Sequence, residues 1–216
     1  MSNSILKVSN LSHSYEMNDL SIKNLNLEID AGERVSIQGP SGCGKSTLLR
    51  LIAGLEEPSE GQIFINGDEV SSKTYSLPPE KRHIGLVVQD KALFPHLSVY
   101  ENICFGIRKE SHQDQIAYDL MNLMKINELK DKFPHQISGG EKQRVALARS
   151  LAPDPNFLMM DEPFSALDSE LKHSIYNDFL EIFSSRKTTL LLVTHDSVEA
   201  SIMTQRQLIM EKGEFK

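Results

Sequence analysis

Residues 39–47 read Gly-Pro-Ser-Gly-Cys-Gly-Lys-Ser-Thr, and this stretch decides the fold. It matches the pattern G-x-x-x-x-G-K-[ST], in which the backbone N–H groups of a glycine-rich loop surround a phosphate chain. The residues before it, 34–38, are typical of a short buried strand, and residues 45–53 are expected to form a helix. The loop therefore lies at a helix N-terminus, whose dipole favours a bound anion.

The whole loop is predicted to line a phosphate site. Lys45 is expected to reach the β- and γ-phosphates, and the Ser46 hydroxyl to ligate Mg²⁺. The bare pattern also occurs in ordinary Gly/Ser-rich loops, but the strand before it and the helix after it favour the phosphate loop. The predicted nucleotide-contacting residues are Gly39, Pro40, Ser41, Gly42, Cys43, Gly44, Lys45, Ser46 and Thr47.

Composition narrows the class of protein. The chain has 216 residues, 39% of them hydrophobic and 25% charged, as expected for a globular domain. Its net charge of −7, without a long Lys/Arg run, argues against a nucleic-acid partner. No apolar run approaches the ~20 residues that span a bilayer, and the N-terminus lacks a signal-peptide core. We therefore expect a cytoplasmic protein, and two cysteines suggest neither a disulfide framework nor a metal site.

The strand and helix patterns divide the chain into three parts. In residues 5–11 and 20–29, apolar and polar residues alternate, which predicts half-buried strands. Residues 62–65 are expected to form a strand that ends at the Asn66-Gly67 turn, and residues 68–82 are expected to form a loop. From residue 91 to about 155, apolar residues recur at the three- and four-residue intervals of helices, and strand-like runs are absent from the sequence. We predict one domain over 1–216, with a nucleotide-binding core at about 1–90 and 156–216 and a helical lobe at about 91–155.

Polar residues follow several buried strands. Gln89 ends the run 84–89, Asp161 and Glu162 end the run 156–162, and His195 follows the run 189–194. In open α/β sheets, ligands lie outside the C-terminal strand ends. Gln89 is expected to touch Mg²⁺ or an attacking water, with a strand cap as the alternative.

Adjacent residues of a strand face opposite ways, so the two carboxylates should have different roles. Asp161 suits Mg²⁺, through water, and Glu162 suits polarising the water that attacks a γ-phosphate. A charged turn after a core strand is the alternative for this pair. His195 is placed to hydrogen-bond a γ-phosphate, although a lone histidine at a strand end is more often structural.

Two further features have a functional and a plain interpretation. Tyr15 lies between the first two predicted strands, where it either stacks on a base or covers a strand edge. Ser138-Gly139-Gly140 opens a helix, where a hydroxyl, a close backbone and a helix N-terminus favour an anion. A capped helix without a ligand is the alternative there.

In this order the motifs resemble the ATP-binding subunit of an ABC transporter over nearly the whole chain. The phosphate loop is shared by many NTPases, whereas the Ser-Gly-Gly element is specific to this family. The motifs that carry the resemblance are Tyr15, 39–47, Gln89, Ser-Gly-Gly-Glu-Lys-Gln-Arg at 138–144, apolar-Asp-Glu-Pro at 157–163, Ser-Ala-Leu-Asp at 165–168 and Thr-His-Asp at 194–196. The resemblance implies an α/β fold with a P-loop NTPase core of mostly parallel sheet, an N-terminal antiparallel β part and an inserted helical lobe.

The resemblance also implies a role for each position. Tyr15 would stack on adenine, and Ser46, Gln89 and Asp161 would serve Mg²⁺. Glu162 would be the catalytic base, with Lys45, Gln89 and His195 completing the catalytic set and His195 sensing the γ-phosphate. In a head-to-tail dimer, Ser138, Gly139, Gly140 and Gln143 would contact the ATP of the partner subunit, and Asp168 would lie at the subunit interface.

The family implies ATP and Mg²⁺ as ligands, a dimer of ATPase subunits, transmembrane permease subunits and a separate solute-binding protein. The chain would then sit on the inner face of the cell membrane. Residues 77–85, 92–103 and 133–136 resemble importers of the iron(III), polyamine, sulfate and sugar group. The apolar segment around Phe94, Leu97 and Val99 is the candidate groove for a permease helix, with core packing as the alternative.

Some positions depart from the family pattern. Ile137 and Glu141 replace the commonest Leu and Gln of the Ser-Gly-Gly element, which should be mild because the hydroxyl and glycines make the contacts. Many importers of this group carry a C-terminal β-barrel regulatory domain, and this chain ends at Lys216, so its regulation and solute stay open. A soluble ABC-type ATPase acting on nucleic acid or ribosomes is the alternative function. A nucleotide-binding regulatory module without catalysis is disfavoured by the intact acidic residues and His195.

Overall fold

A computed structural model of the chain describes residues 4–16, 19–88, 93–107, 112–165, 167 and 169–216. The strands are β1 (Ser4–Glu16), β2 (Asp19–Asp30), β3 (Arg34–Gln38), β4 (Glu60–Ile65), β5 (Asp68–Ser72), β6 (Tyr75–Ser76), β7 (Gly85–Val87), β8 (Phe157–Asp161), β9 (Thr189–Val193), β10 (Arg206–Glu211) and β11 (Glu214–Phe215). The helices are α1 (Lys45–Ala53), α2 (Val99–Cys104), α3 (Gln113–Leu123), α4 (Gly139–Leu151), α5 (Ser169–Arg186) and α6 (Ser197–Met203), with 3-10 turns at Pro79–Lys81, Asn127–Leu129 and Pro134–Gln136.

The larger sheet has the order β11-β10-β3-β9-β8-β7, and its neighbours are parallel except for the β10–β11 pair. Every residue of β8 and β9 is buried, as expected for parallel strands that are covered on both faces. Because parallel strands end at the same edge, the carboxyl ends of β3, β8 and β9 meet there. That edge carries the phosphate loop after β3, the acidic pair at the end of β8 and His195 after β9.

The smaller sheet is antiparallel, with the order β2-β1-β4-β5-β6. Leu6 of β1 pairs with Ile29 on one side and with Ile65 on the other, so a row of apolar side chains faces the core. The expectation of a loop over residues 68–82 is wrong, because this segment contains β5, β6 and a 3-10 turn. Only Val70, Ser71 and Arg82 are buried within it, so this segment lacks the alternation of apolar and polar residues by which a strand is predicted.

The helical segments pack around a common apolar cluster beside β7 and β8. Val99 and Ile103 of α2 meet Met121 of α3 and Val145 of α4 in this cluster. The helical spacing that the sequence shows after residue 91 corresponds in the structure to α2, α3 and α4. The boundaries of the lobe at 91 and 155 stay a prediction. Within the described ranges, no helix is both long and apolar enough to cross a membrane.

Candidate nucleotide site

The phosphate loop lies against the neighbouring backbone more closely than a side chain would permit. A Cβ atom on Gly39 would lie 2.1 Å from the carbonyl oxygen of Met210, and one on Gly44 would lie 2.5 Å from that of Ser21. Gly44 also has a φ of 109° at the N-cap of α1, a conformation that favours glycine. The glycines are therefore required by close approach, and they leave the loop's backbone open toward a ligand.

Lys45 and Ser46 begin α1 and face the acidic end of β8. The Lys45 amine donates to the carbonyls of Gly39 (2.7 Å) and Pro40 (3.0 Å), so it lies across the loop. Burial raises the pKa of Asp161, opposed by its hydrogen bond with Ser46 and by the charge of Lys45. The Ser46 hydroxyl and the Asp161 carboxylate are oxygen donors of the kind Mg²⁺ prefers, so this pair fits a magnesium ion.

Glu162 adopts an unusual backbone conformation. Its φ is 46°, a left-handed value that costs a non-glycine residue roughly 1–3 kcal/mol. Its N–H donates to the carbonyl of Val193 (2.9 Å), and its own carbonyl accepts from the Ser165 hydroxyl (3.0 Å). The expected strand alternation does not apply, because β8 ends at Asp161 and the chain turns at Glu162. The left-handed turn, rather than the pleat, sets the direction of the second carboxylate.

Glu162 and His195 form a pair at this edge. The His195 Nδ1 atom lies 3.0 Å from the Glu162 Oε1 atom, and the imidazole is 68% exposed while the carboxylate is 22% exposed. The pair combines a proton acceptor and an imidazole beside the phosphate loop, which is the arrangement needed to activate a water. The structure thus brings the loop, Asp161, Glu162 and His195 together.

Tyr15 lies in β1 rather than in a loop between strands, which corrects the sequence expectation. β1 extends to Glu16, and the Tyr15 ring is 55% exposed. Its hydroxyl lies 3.5 Å from the Thr47 hydroxyl, so the ring stands beside the phosphate loop. The buried His13 ring meets it edge-on at 4.7 Å between centroids, and His13 Nδ1 lies 2.9 Å from the Glu57 carbonyl. The ring is therefore supported on one side and exposed on the other.

The Ser-Gly-Gly element forms a capped helix start. Ser138 is the N-cap of α4, and its hydroxyl accepts from the Glu141 N–H (3.3 Å). The Glu141 carboxylate accepts in return from the Ser138 N–H (2.6 Å), and this backbone hydrogen bond lowers the pKa of Glu141. The glutamate that departs from the family pattern thus completes a capping box.

Gln143 differs from its predicted role. Its side chain is 1% exposed, so in this conformation it does not reach a partner's nucleotide, whereas the Gly139 and Gly140 positions lie at the helix start. The physical reason is helical position, because Gln143 points inward with the apolar stripe of α4. Two other predicted site residues, Gln89 and Asp168, lie outside the described residues.

Arg82 is buried and supports the site, although its sequence position did not predict this role. Its guanidinium contacts the C-terminal carbonyls of α1, at Leu51 (3.1 Å) and Ile52 (2.9 Å). It therefore holds the helix whose other end carries Lys45 and Ser46. The sequence signal was an arginine two residues before the apolar run that starts at Ile84, which is too weak to predict burial.

The strand–loop–helix unit, with an acidic pair and a histidine on the neighbouring strands, defines a phosphate-loop NTPase of α/β class. The family model described as ABC transporter matches residues 22–165, and the chain belongs to this family. The fold class expected from the motifs is therefore confirmed, including the antiparallel β part and the inserted helices.

Curated relatives are import subunits. An Fe(3+) ions import ATP-binding protein of Haemophilus influenzae is 40% identical over 219 residues, covering 100% of this chain and 61% of the relative. A sulfate/thiosulfate import ATP-binding protein of Pseudomonas putida is 41% identical, covering 88% of the chain and 59% of the relative. A spermidine/putrescine import ATP-binding protein of Thermotoga maritima is 42% identical, covering 90% and 53%. The chain thus spans about three fifths or less of the length of these relatives.

Solved structures agree with the family. A dimeric ATP-binding cassette in a post-hydrolysis state, bound to ADP and phosphate, is 32% identical with a TM-score of 0.88, covering 98% of this chain and 96% of that one. An ABC transporter component from Clostridium perfringens is 30% identical with a TM-score of 0.84, covering 99% and 87%.

Proposed function

We propose that this chain is an ATP-hydrolysing subunit that powers solute transport across the cytoplasmic membrane, in the direction of import. The observation that carries the proposal is the Glu162–His195 pair, 3.0 Å apart, at the sheet edge that also holds the phosphate loop. The import subunits among its relatives favour this function over an ATPase acting on nucleic acid or ribosomes.

Within the proposal each residue of the site has a defined task. The loop's backbone and the Lys45 amine bind the phosphates, and the Tyr15 ring stacks on the adenine. Ser46 and Asp161, with Gln89 as a further ligand, hold Mg²⁺, which supplies charge neutralisation on the phosphate oxygens. Glu162 accepts the proton of the attacking water, and His195 holds the Glu162 carboxylate and senses the γ-phosphate.

The proposed assembly is a head-to-tail dimer of cassettes. Ser138, Gly139 and Gly140 form the exposed start of α4, where backbone N–H groups and the helix dipole favour an anion. They would contact the γ-phosphate bound by the partner, and Asp168 would lie at the interface. The dimeric cassette among the similar structures supports this arrangement.

Transport requires a contact with permease subunits. A groove of about 790 Å³ lies between the start of β7, the C-terminal ends of α2 and α4 and the N-terminal part of α3. Beside it, Phe105 is 62% exposed, and its ring lies 4.2 Å from that of the half-buried Phe94. We assign this surface to a helix of the membrane subunit. Val99 does not contribute to it, because its side chain is fully buried in the core.

In this assembly the chain lies on the inner face of the cell membrane, and a separate solute-binding protein delivers the solute. Affinity purification of the tagged chain from gently solubilised native membranes tests this location and its partners. Recovery of a polytopic membrane protein is expected. Recovery of ribosomes or soluble partners alone would overturn the transporter proposal and leave the nucleotide site intact.

The substitution Glu162→Gln tests the catalytic assignment. It keeps the size of the side chain but removes the proton acceptor, so turnover should fall by at least about 100-fold. ATP-dependent dimers should persist and be visible by light scattering after size-exclusion chromatography. Glu128→Gln, at an exposed position, is the matched control and should keep wild-type turnover. Wild-type turnover in Glu162→Gln would refute the assignment of the base.

A further inference from the structure

Two polar contacts hold the start of α6 against α5. The Lys172 amine lies 3.7 Å from the Asp196 Oδ2 atom, and the Tyr176 hydroxyl lies 3.4 Å from the Glu199 Oε2 atom. Lys172 and Tyr176 are four residues apart, so both lie on one face of α5. Asp196 and Glu199 are the N-cap and a first-turn residue of α6.

These contacts bear on the loop that carries His195. On the strand side, the Thr194 N–H donates to the Ile37 carbonyl (3.3 Å), which fixes the end of β9 on β3. On the helix side, the Asp196 side chain accepts a hydrogen bond from the Glu199 N–H (3.1 Å), which ties Asp196 to the first turn of α6. Because His195 directly precedes Asp196, the position of its imidazole depends on the position of that turn. Among the described residues, the one polar contact of the His195 side chain is with Glu162.

We propose that Tyr176 and Glu199 are positioning residues for His195, because their contact fixes the start of α6 on α5 and thereby the loop that carries the imidazole. This inference rests on the proposed ATPase function. Neither residue touches the nucleotide site, so both act through His195.

The surroundings of Glu199 suit a neutral carboxyl group. Its side chain is 2% exposed, so its carboxyl group is almost completely shielded from water. The charged and titratable groups around it are Lys172 and Tyr176 from α5 and Asp196 from the start of α6. Burial raises the pKa of Glu199 to about 7, opposed by the charge of Lys172 and by hydrogen bonds with Thr194 and Tyr176, while the charge of Asp196 adds to the rise. Near neutral pH, Glu199 is therefore present in both forms.

A cavity beside the contact gives α6 room to move. It has a volume of about 380 Å³ and lies between α5 and the start of α6, lined by Lys172, His173, Tyr176, Asp196 and Val198 among others. Ionised Glu199 is poorly solvated in its buried position and is repelled by Asp196 within the first turn of α6, so its ionisation should loosen this turn in spite of the attraction of Lys172 on α5. Turnover should therefore fall as the pH rises through about 7.

The test compares pH profiles of ATP turnover for the wild type, Glu199→Gln and the control Glu181→Gln, which lies at an exposed position of α5. Glutamine mimics the neutral carboxyl, so Glu199→Gln should match the wild type at pH 6. With a pKa of about 7 only about a tenth of Glu199 is protonated at pH 8, so the variant should there exceed the wild type by up to about tenfold. Glu181→Gln should follow the wild-type profile.

Tyr176→Phe provides a second measurement. Losing the hydroxyl should lower kcat several-fold and leave the KM for ATP unchanged, because the phosphate loop is untouched. Superimposable profiles of Glu199→Gln and wild type, or a Tyr176→Phe effect on KM alone, would overturn the inference. A wild type without turnover at any pH would instead overturn the proposed function.

Discussion

Replacing Arg82 by lysine should destabilise the fold even though the positive charge is kept. Arg82 is 2% exposed, and the five N–H groups of its guanidinium reach six backbone and hydroxyl oxygens, so one N–H group is shared between two acceptors. Two acceptors are the C-terminal carbonyls of α1, Leu51 and Ile52, whose partial negative charge favours a cation. The others belong to the antiparallel sheet and the segment after it, so Arg82 joins these parts to α1.

The magnitude follows from the donors that lysine lacks. Lysine has three N–H donors on one atom, whereas the Arg82 bonds leave from three separate nitrogens. At least three bonds are lost, and at about 1 kcal/mol each the free energy of unfolding should fall by about 3 kcal/mol. Burial already lowers the pKa of Arg82, and a buried lysine amine is more easily deprotonated than a guanidinium.

Equilibrium urea denaturation followed by circular dichroism measures this loss, with the slope of the transition as a check on two-state behaviour. Arg50→Lys is the control within α1, because Arg50 is 54% exposed and pairs with Glu56 at 3.1 Å. That change should stay within about 0.5 kcal/mol. A loss below about 0.5 kcal/mol for Arg82→Lys, with an unchanged slope, would refute the reasoning.

Three further outcomes are expected. Tyr15→Ala should weaken ATP binding by about 1–3 kcal/mol in a calorimetric titration, while Tyr15→Phe keeps it; equal affinities would show that no base stacks there. Cys43→Ala should keep turnover, because the backbone of the phosphate loop, and not the buried Cys43 thiol 3.7 Å from the Lys45 amine, binds the phosphate. A thiol-alkylating reagent should inactivate the wild type, and MgATP should protect it. Absence of this protection would place Cys43 outside the pocket. Glu199→Gln should raise the free energy of unfolding at pH 8 by up to about 3 kcal/mol and change it little near pH 4.5. The direction of this change follows from the raised pKa of Glu199 in the folded state. Such a carboxyl group contributes stability below its pKa in the unfolded state, and this contribution is lost as the pH rises to about 7.

The sequence alone determined the local elements and the family. The short strand before the phosphate loop and the helix after it were predicted at Arg34–Gln38 and Lys45–Ala53, and the structure has the same bounds. The buried strands before Asp161 and His195 were also predicted. These features depend on side-chain periodicity, glycines and caps within about ten residues, so a single segment contains the signal.

Only the tertiary structure decided how these segments work together. The pairing of Glu162 with His195 and the left-handed turn at Glu162 depend on the parallel alignment of β8 and β9, which no local pattern specifies. The strands within 68–82 exist because β4 offers them an edge, and the burial of Arg82 depends on carbonyls up to 31 residues away in sequence. These features depend on hydrogen bonds and burial between segments that are distant in sequence. Such interactions stabilise the structure only after folding has brought the segments into contact, so no single segment contains the signal for them.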